Sequence, residues 1–267
     1  MDKLRQKAKE LLSNNEVQIV VGYEEGTAGK ARPAFISSPD QADTLIYDER
    51  CIHNLAVYLT QHKLPRNTKI AVVASFPVMK SIITLASEKQ LDENFIRVIG
   101  ISKDNNIIEF KDFADIERYI NQQDLTFTPE EQALIEKIDA MSMEERWAYW
   151  QNEFSRCFKC YACRSACPMC YCTLCITDFN QPQWVSVPSH KQGNFEWHIN
   201  RAMHLAGRCI GCDECSRACP LDLPINLLTK KLSMDIQKQF GYSAGQSLTE
   251  PYALSTYKPD DKETFIR

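Results

Sequence analysis

The chain has 267 residues, a formal net charge of −4 and a sequence pI near 5.8. That balance excludes the basic footprint of a nucleic-acid binder or of a protein held on an anionic membrane. Twelve cysteines, all but Cys51 lying between Cys157 and Cys219, mark the second half as the chemical half.

The length allows two small domains. The longest apolar run, around Ile70 to Ser75, is strand-sized and far short of a bilayer span. The opening MDKLRQKAKELL spreads charge through its apolar positions and does not read as a signal peptide. Clustered cysteines in such a chain favour metal binding in a reducing cytoplasm over a secreted disulfide scaffold.

In chain order, residues 1–13 read as a surface helix with Leu4, Ala8, Leu11 and Leu12 on one face. Val17 to Val21 is a β-branched strand ending at Gly22. The following GYEEGTAGKARPAFI fits neither a dinucleotide-binding nor a Walker loop, and reads as a connection returning into a second strand. Thr44–Tyr47 is a short strand and Ile52–Leu59 a helix, with Cys51 at the junction. Lys69–Ala74 is a buried strand, Val78–Lys89 a helix, Phe95–Ile101 a strand and Asn106–Phe110 an edge strand. Phe113, Ile116 and Ile120 share a helical face. Alternating strands and helices give an α/β domain with a partly parallel sheet, whose ligand would sit where strand carboxyl ends meet helix starts. Those turns, Ala74–Pro77 and Gly100–Ser102, carry no distinctive chemistry.

Residues 122–156 read as a helical connector with two capping boxes, Thr128-Pro-Glu-Glu131 and Ser142-Met-Glu-Glu145. Met143, Trp147, Trp150 and Phe154 recur at helical spacing, as a stripe that packs between domains or shields a cofactor. Further on, Asn194 starts a helix presenting Phe195, Ile199, Ala202, Met203 and Ala206, stopped by Gly207. Ile225, Leu228, Leu232 and Ile236 define a last helix ending at Gly241. Residues 242–267 form a polar tail with Pro251 and Pro259, which covers a partner or stays mobile.

Eight cysteines form two copies of one pattern: Cys157-x2-Cys160-x2-Cys163-x3-Cys167-Pro168 and Cys209-x2-Cys212-x2-Cys215-x3-Cys219-Pro220. This is the run of two-cluster ferredoxins, in which three thiolates bind one 4Fe–4S cube and the fourth crosses to the other. Zinc, the alternative, prefers paired Cys-x2-Cys knuckles with a longer gap. The pattern assigns Cys157, Cys160, Cys163 and Cys219 to one cluster, and Cys209, Cys212, Cys215 and Cys167 to the other. A linear assignment, with each run holding its own cube, is the structural alternative. Lys159, Arg164 and Arg217 lie inside the runs, as tuning charges or solvated rim residues.

Three further cysteines, Cys170, Cys172 and Cys175, follow the first run at once. With Cys51 they make a third set of four, so a third iron–sulfur cluster stands against the reading of small buried thiols. His198 and His204 precede the second run, as packing residues or as ligands. No nucleophile–base pair or catalytic carboxylate pair is recognisable, so no catalytic residue is expected.

RWAYWQNEFSRCFKCYACRSACPMCYCTLCITD, QPQWVS, HLAGRCIGCDECSRACP and FGYSAG resemble the beta subunit of coenzyme F-420 hydrogenases and formate dehydrogenases. The branch resembled is that of short 4Fe–4S dicluster proteins associated with heterodisulfide reductase-like complexes. VVGYEEG, RPAFI and ERCIHNLAVYLT extend the likeness towards the N-terminus, over nearly the whole chain. The cysteine half is similar to the helical ferredoxin domains of succinate dehydrogenase and heterodisulfide reductase small subunits. The resemblance implies a cytoplasmic electron-transfer subunit that passes single electrons between a flavin or hydride-handling partner and a catalytic metal subunit. Full-size relatives hold flavin in the N-terminal domain. Ser75-Phe76-Pro77 stands here where a Gly-Cys-Asp type turn is expected, so FAD is left out of the expected cofactors.

The expected fold class is α+β: an α/β domain (1–121), a helical connector (122–156), a helical dicluster domain (157–241) and a tail (242–267). The expected role is an electron relay of anaerobic metabolism with two 4Fe–4S clusters, or three. It would work inside a complex with flavoprotein or metal-containing subunits, without nucleic acid and without a membrane span. The rival readings are an FAD-containing oxidoreductase subunit with its own hydride-accepting site, and a docking subunit whose clusters are structural.

Overall fold

A computed structural model describes residues 2–60, 67–123, 128–179 and 181–250. Helix α1 (Asp2–Ser13) buries Leu4, Ala8, Leu11 and Leu12, the face anticipated from their spacing. A mixed sheet follows, built from β1 (Ile19–Glu25), β2 (Ala31–Ile36), β3 (Leu45–Ile46), β4 (Ile70–Ala74), β5 (Ile96–Ile101) and β6 (Ile107–Glu109). Its order is β2-β1-β4-β5-β6, with β3 also paired to β1. The three central strands β1, β4 and β5 run parallel, and β2 and β6 close the edges antiparallel. All five residues of β4 are buried, which is why its apolar positions run on without alternation.

Two boundaries depart from the expected ones. Strand β1 continues through Gly22 to Glu25 instead of stopping there. A Cβ on Gly22 would lie 2.6 Å from Leu45 Cδ2, so the glycine permits close packing inside the strand and does not end it. The helix expected over Ile52–Leu59 shrinks to a single turn, α2 (Val57–Thr60). The preceding loop is held by Asn54, whose side chain donates to Ser81 Oγ at 2.8 Å and accepts from Ala56 N at 3.2 Å.

Helices α3 (Phe76–Ser87) and α4 (Phe113–Asn121) cover the sheet. The connector contains α5 (Pro129–Asp139) and α6 (Met143–Ser155), each with its predicted capping box formed. The cysteine half is helical, with α7 (Ala162–Ser165), α8 (Lys191–His204), α9 (Glu214–Arg217) and α10 (Ile225–Phe240). Gly241 ends α10 in the left-handed region at φ 68°, as a C-cap glycine should.

The aromatic stripe of α6 packs on α8 rather than between the two halves. Trp147 meets Phe195 at 4.7 Å between ring centroids, and Phe154 stacks on His198 at 4.2 Å. Helix α8 begins three residues before Asn194, capped by His190, whose ring accepts from Gly193 N. The first residues of the C-terminal stretch also pack down: Tyr242 and Ala244 are buried, and Leu248 N donates to Glu117 at 2.9 Å. Pro251, Pro259 and the rest of that stretch lie outside the described residues, as do 124–127 of the connector.

The two halves meet through polar clamps. Arg208 donates to both carboxylate oxygens of Glu88, at 2.5 and 2.7 Å, and Tyr171 Oη donates to Glu88 at 2.6 Å. Glu214 accepts from Asn54 N at 3.2 Å, and Arg217 donates to Ile52 O at 3.2 Å.

Candidate metal centre

The two cysteine runs are the same piece of backbone made twice. Lys159 and Tyr161 in the first, and Gly211 and Asp213 in the second, all have φ between 57° and 76°. Each pair occupies the third and fifth positions of its run. Only the glycine takes this left-handed region freely, so three non-glycine residues are held there by what surrounds them. Alternating left- and right-handed residues turn successive N–H groups inward, which makes an anion-binding concavity. Lys159 N donates to Cys157 Sγ at 3.3 Å, and the Gly211 and Glu214 amides donate to the Cys209 and Cys212 sulfurs. The third cysteine of each run then sits on a four-residue helix, Cys163 on α7 and Cys215 on α9, and these helices pack together. The fourth cysteine follows at the helix end, with Cys167 N donating to Arg164 O and Cys219 N to Ser216 O.

One grouping of sulfurs crosses between the runs. Cys167 lines one buried cavity with Cys209, Cys212 and Cys215, although residues 168–208 separate it from that run. Cys157, Cys163 and Cys219 share a second packed group with Trp197 and Leu223, and Cys215 belongs to that group as well, so it borders both. Cys160 is the exposed member, and its charge acts on both Cys157 and Cys163. Burial pushes the thiols of Cys212 and Cys215 up to about 12, and that of Cys163 up to about 11. Such groups stay protonated at neutral pH unless a metal supplies positive charge, so metal loading here would release protons.

Inward amides, the eight thiols of the two runs and tight left-handed turns fit two iron–sulfur cubes. Among the described residues, no three His, Cys, Asp or Glu side chains converge as ligands of a single metal ion. A cube spreads its four thiolates over four irons, so its ligands stand farther apart than those of one zinc.

Cys170, Cys172 and Cys175 line an adjoining cavity of about 330 Å3 together with His204. Cys170 of that group accepts a hydrogen bond from the Cys167 thiol. Cys51 does not line that cavity. Its sulfur accepts from Asp48 N at 3.5 Å and donates to Ile46 O at 3.9 Å, inside the N-terminal core.

The charges anticipated as tuning residues all have oxygen partners, and Arg217 donates to Cys212 O at 2.5 Å within its own run. Arg164 makes a two-pronged pair with Asp178, both contacts at 2.8 Å, and Arg217 bonds Glu214 at 2.6 Å. Lys159 is buried and donates to the carbonyls of Ser186 and Pro188. His198, considered as a ligand, is a neutral packing residue: burial, with Arg201 and Lys159 nearby, pushes it down to about 3. Both its ring nitrogens lack a hydrogen-bond partner.

Arg201 went unseen in the sequence. It is 3% exposed and donates from Nη2 to Cys163 O at 3.2 Å. The expected apolar face of α8 hid it, because the helix in fact buries Asn194, Trp197, His198 and Arg201 and leaves Met203 exposed. The available signal was its spacing, three residues after His198 and four after Trp197, on the helix that leads into the second run.

A larger cavity of about 720 Å3 opens at the carboxyl end of β4. Phe76, Pro77 and Lys80 of α3 line one side, with Cys209, Lys230 and Tyr242 among its other walls. Gly245 closes against Lys80, and at φ 81° with Lys80 O 2.7 Å from an added Cβ it has no room for a side chain.

No family model matches the chain. Over 117 residues it is 30% identical to the F420-dependent formate dehydrogenase subunit beta of Methanocaldococcus jannaschii, covering 42% of this chain and 30% of that protein. Over 105 residues it is 30% identical to the F420-dependent formate dehydrogenase 1 subunit beta of Methanococcus maripaludis, 39% of this chain and 26% of that one. These curated relatives are formate dehydrogenase beta subunits. They agree with the resemblance drawn from the cysteine motifs, over less of the chain than the motifs suggested. The match spans less than a third of the relatives' own length.

Proposed function

We propose that this chain is an iron–sulfur electron-relay subunit of a larger oxidoreductase, in the class of formate dehydrogenase, F-420 hydrogenase or heterodisulfide reductase-like complexes. The observation that carries the reading is the cavity in which Cys167 joins Cys209, Cys212 and Cys215. One cube would be held by those four residues and the other by Cys157, Cys160, Cys163 and Cys219. When bound, such cubes accept and donate single electrons. The chain contributes the inward amides of both loops and the dry walls around Cys212 and Cys215. It also brings the exposed sulfur of Cys160 to the surface, where a partner subunit would approach.

The relatives' names place them as subunits, which supports partners here: a flavoprotein or a metal-containing catalytic subunit. Among the described residues no helix is long and apolar enough to cross a membrane. Reduced, metal-binding thiols call for the cytoplasm. Changing Cys212→Ser should lose or convert the cluster on the second run and stop electron flow through the subunit. Unchanged iron content and unchanged transfer would refute the assignment.

A second reading has one observation of its own. The cavity of about 720 Å3 reaches from the β4 carboxyl end to Cys209, which is room for a flavin beside a cluster. A flavin assay on anaerobically isolated protein decides it: bound flavin makes the N-terminal region an active site, and none leaves it a scaffold.

A further inference from the structure

Arg201 lies where all the cysteine groups meet. Its guanidinium bonds the Cys163 carbonyl of the first run. The same side chain lines the cavity of Cys167, Cys209, Cys212 and Cys215, and also that of Cys170, Cys172 and Cys175. It is 3% exposed, and its Nε has no hydrogen-bond partner.

A buried guanidinium normally needs a carboxylate, because an uncompensated buried charge is among the costliest things a fold can contain. Every other arginine in this half has a carboxylate: Arg156 has Glu153, Arg164 has Asp178, Arg208 has Glu88 and Arg217 has Glu214. Arg201 has no such pair among the described residues, and the neighbouring His198 has no negative charge to offer. What surrounds it is sulfur: its charge acts on Cys163, Cys167, Cys170 and Cys215, from both sets. Negative charge carried by the thiolates, once they hold metal, is the counter-charge this position requires.

We infer that Arg201 is the shared counter-cation of both clusters, a positioning residue that raises the reduction potential of each and ties the two sites into one electrostatic unit. The inference rests on the two-cluster relay proposed above. A cation beside a cube stabilises the extra electron of the reduced state, so its removal must lower the potential. A residue serving one cube alone would move one potential. Arg201 should move both, in the same direction.

The test is an anaerobic redox titration followed by EPR on the full chain, with iron counted on every sample, for the native protein, Arg201→Met and Arg201→Lys. In Arg201→Met, the ratio of reduced to oxidised cluster at a fixed poise should fall about tenfold for both clusters, equivalent to about 59 mV for one electron. Arg201→Lys, which keeps the charge and loses the planar fork, should recover most of that ratio. If Arg201→Met fails to hold iron while Arg201→Lys holds it, the requirement for charge is supported in stronger form. Unchanged potentials in an iron-replete Arg201→Met protein overturn the inference, as does iron loss in both variants or a shift confined to one cluster. Absence of iron from the native protein would instead strike the relay reading itself.

Discussion

Residues 2–121 bury Val72, Val73, Ile82 and Ile83 completely around a six-stranded sheet, whereas residues 157–241 bury Lys159, His198, Arg201 and Lys230 around sulfur. The first region has one continuous apolar core, which Met169 and Leu205 of the second region join at its edge. The second has small satellite groups, in which cysteines stand where aliphatic side chains would otherwise be. Apolar burial at about 25 cal/mol per Å2 holds a sheet without help. A set of small cores with buried cations gains less from apolar burial, and on the proposed reading metal held by the thiols and the contacts to its neighbour supply the rest.

The sharpest way to break that comparison is to remove the metal. Stripping iron anaerobically with a chelator should abolish amide protection in α8, α9 and α10 while β4 and β5 keep theirs, read by hydrogen exchange. Uniform protection in both regions would mean that the cysteine half stands by itself.

Next in size is the clamp. Glu88 and Arg208 are about one-tenth exposed, and Glu88 also receives the Tyr171 hydroxyl. Glu88→Ala takes the carboxylate away from a largely buried guanidinium and should cost about 3–5 kcal/mol in denaturant unfolding. A loss below about 1 kcal/mol would show that this clamp does not hold the halves together.

A smaller effect separates the regions by pH. His198 is neutral when folded, depressed to about 3 by burial, while the unfolded side chain titrates near 6.5. The unfolded state therefore binds the extra proton between those values, and stability must fall as pH drops below about 6.5. Between pH 6.5 and 5 the slope should approach about 1.4 kcal/mol per unit. His198→Phe, which keeps the stack on Phe154, should remove that component. An unchanged slope would place the titration elsewhere.

Much of the first region and of the connector was legible because their signals are local. The burial of α1, the strand character of Ile70–Ala74 and the capping boxes of α5 and α6 follow from spacing and side-chain chemistry within a few residues. Gly22 misled, since a glycine inside a strand and a glycine ending one look alike until Leu45 is seen against it. The cysteine runs were legible for the opposite reason: a repeated motif fixes a backbone that no propensity would choose, with left-handed residues at matching positions. Arg201 and the Glu88 clamp were not legible. An arginine on an amphipathic helix reads as solvent-facing, and only the fold brings α8 against both cysteine runs and Glu88 against Arg208. Cys51 shows the same limit from the other side: counting cysteines in fours carries no information on place, and the fold sets this thiol against Asp48 N and Ile46 O.

The proposed pair of cubes on crossed cysteine sets is tested most directly by iron and acid-labile sulfide per chain on anaerobically isolated protein, with EPR after reduction. The account predicts about eight irons with matching sulfide and two interacting cluster signals. About twelve would add a third cluster at Cys170, Cys172 and Cys175. Zinc in place of iron, or iron without sulfide, would contradict the account.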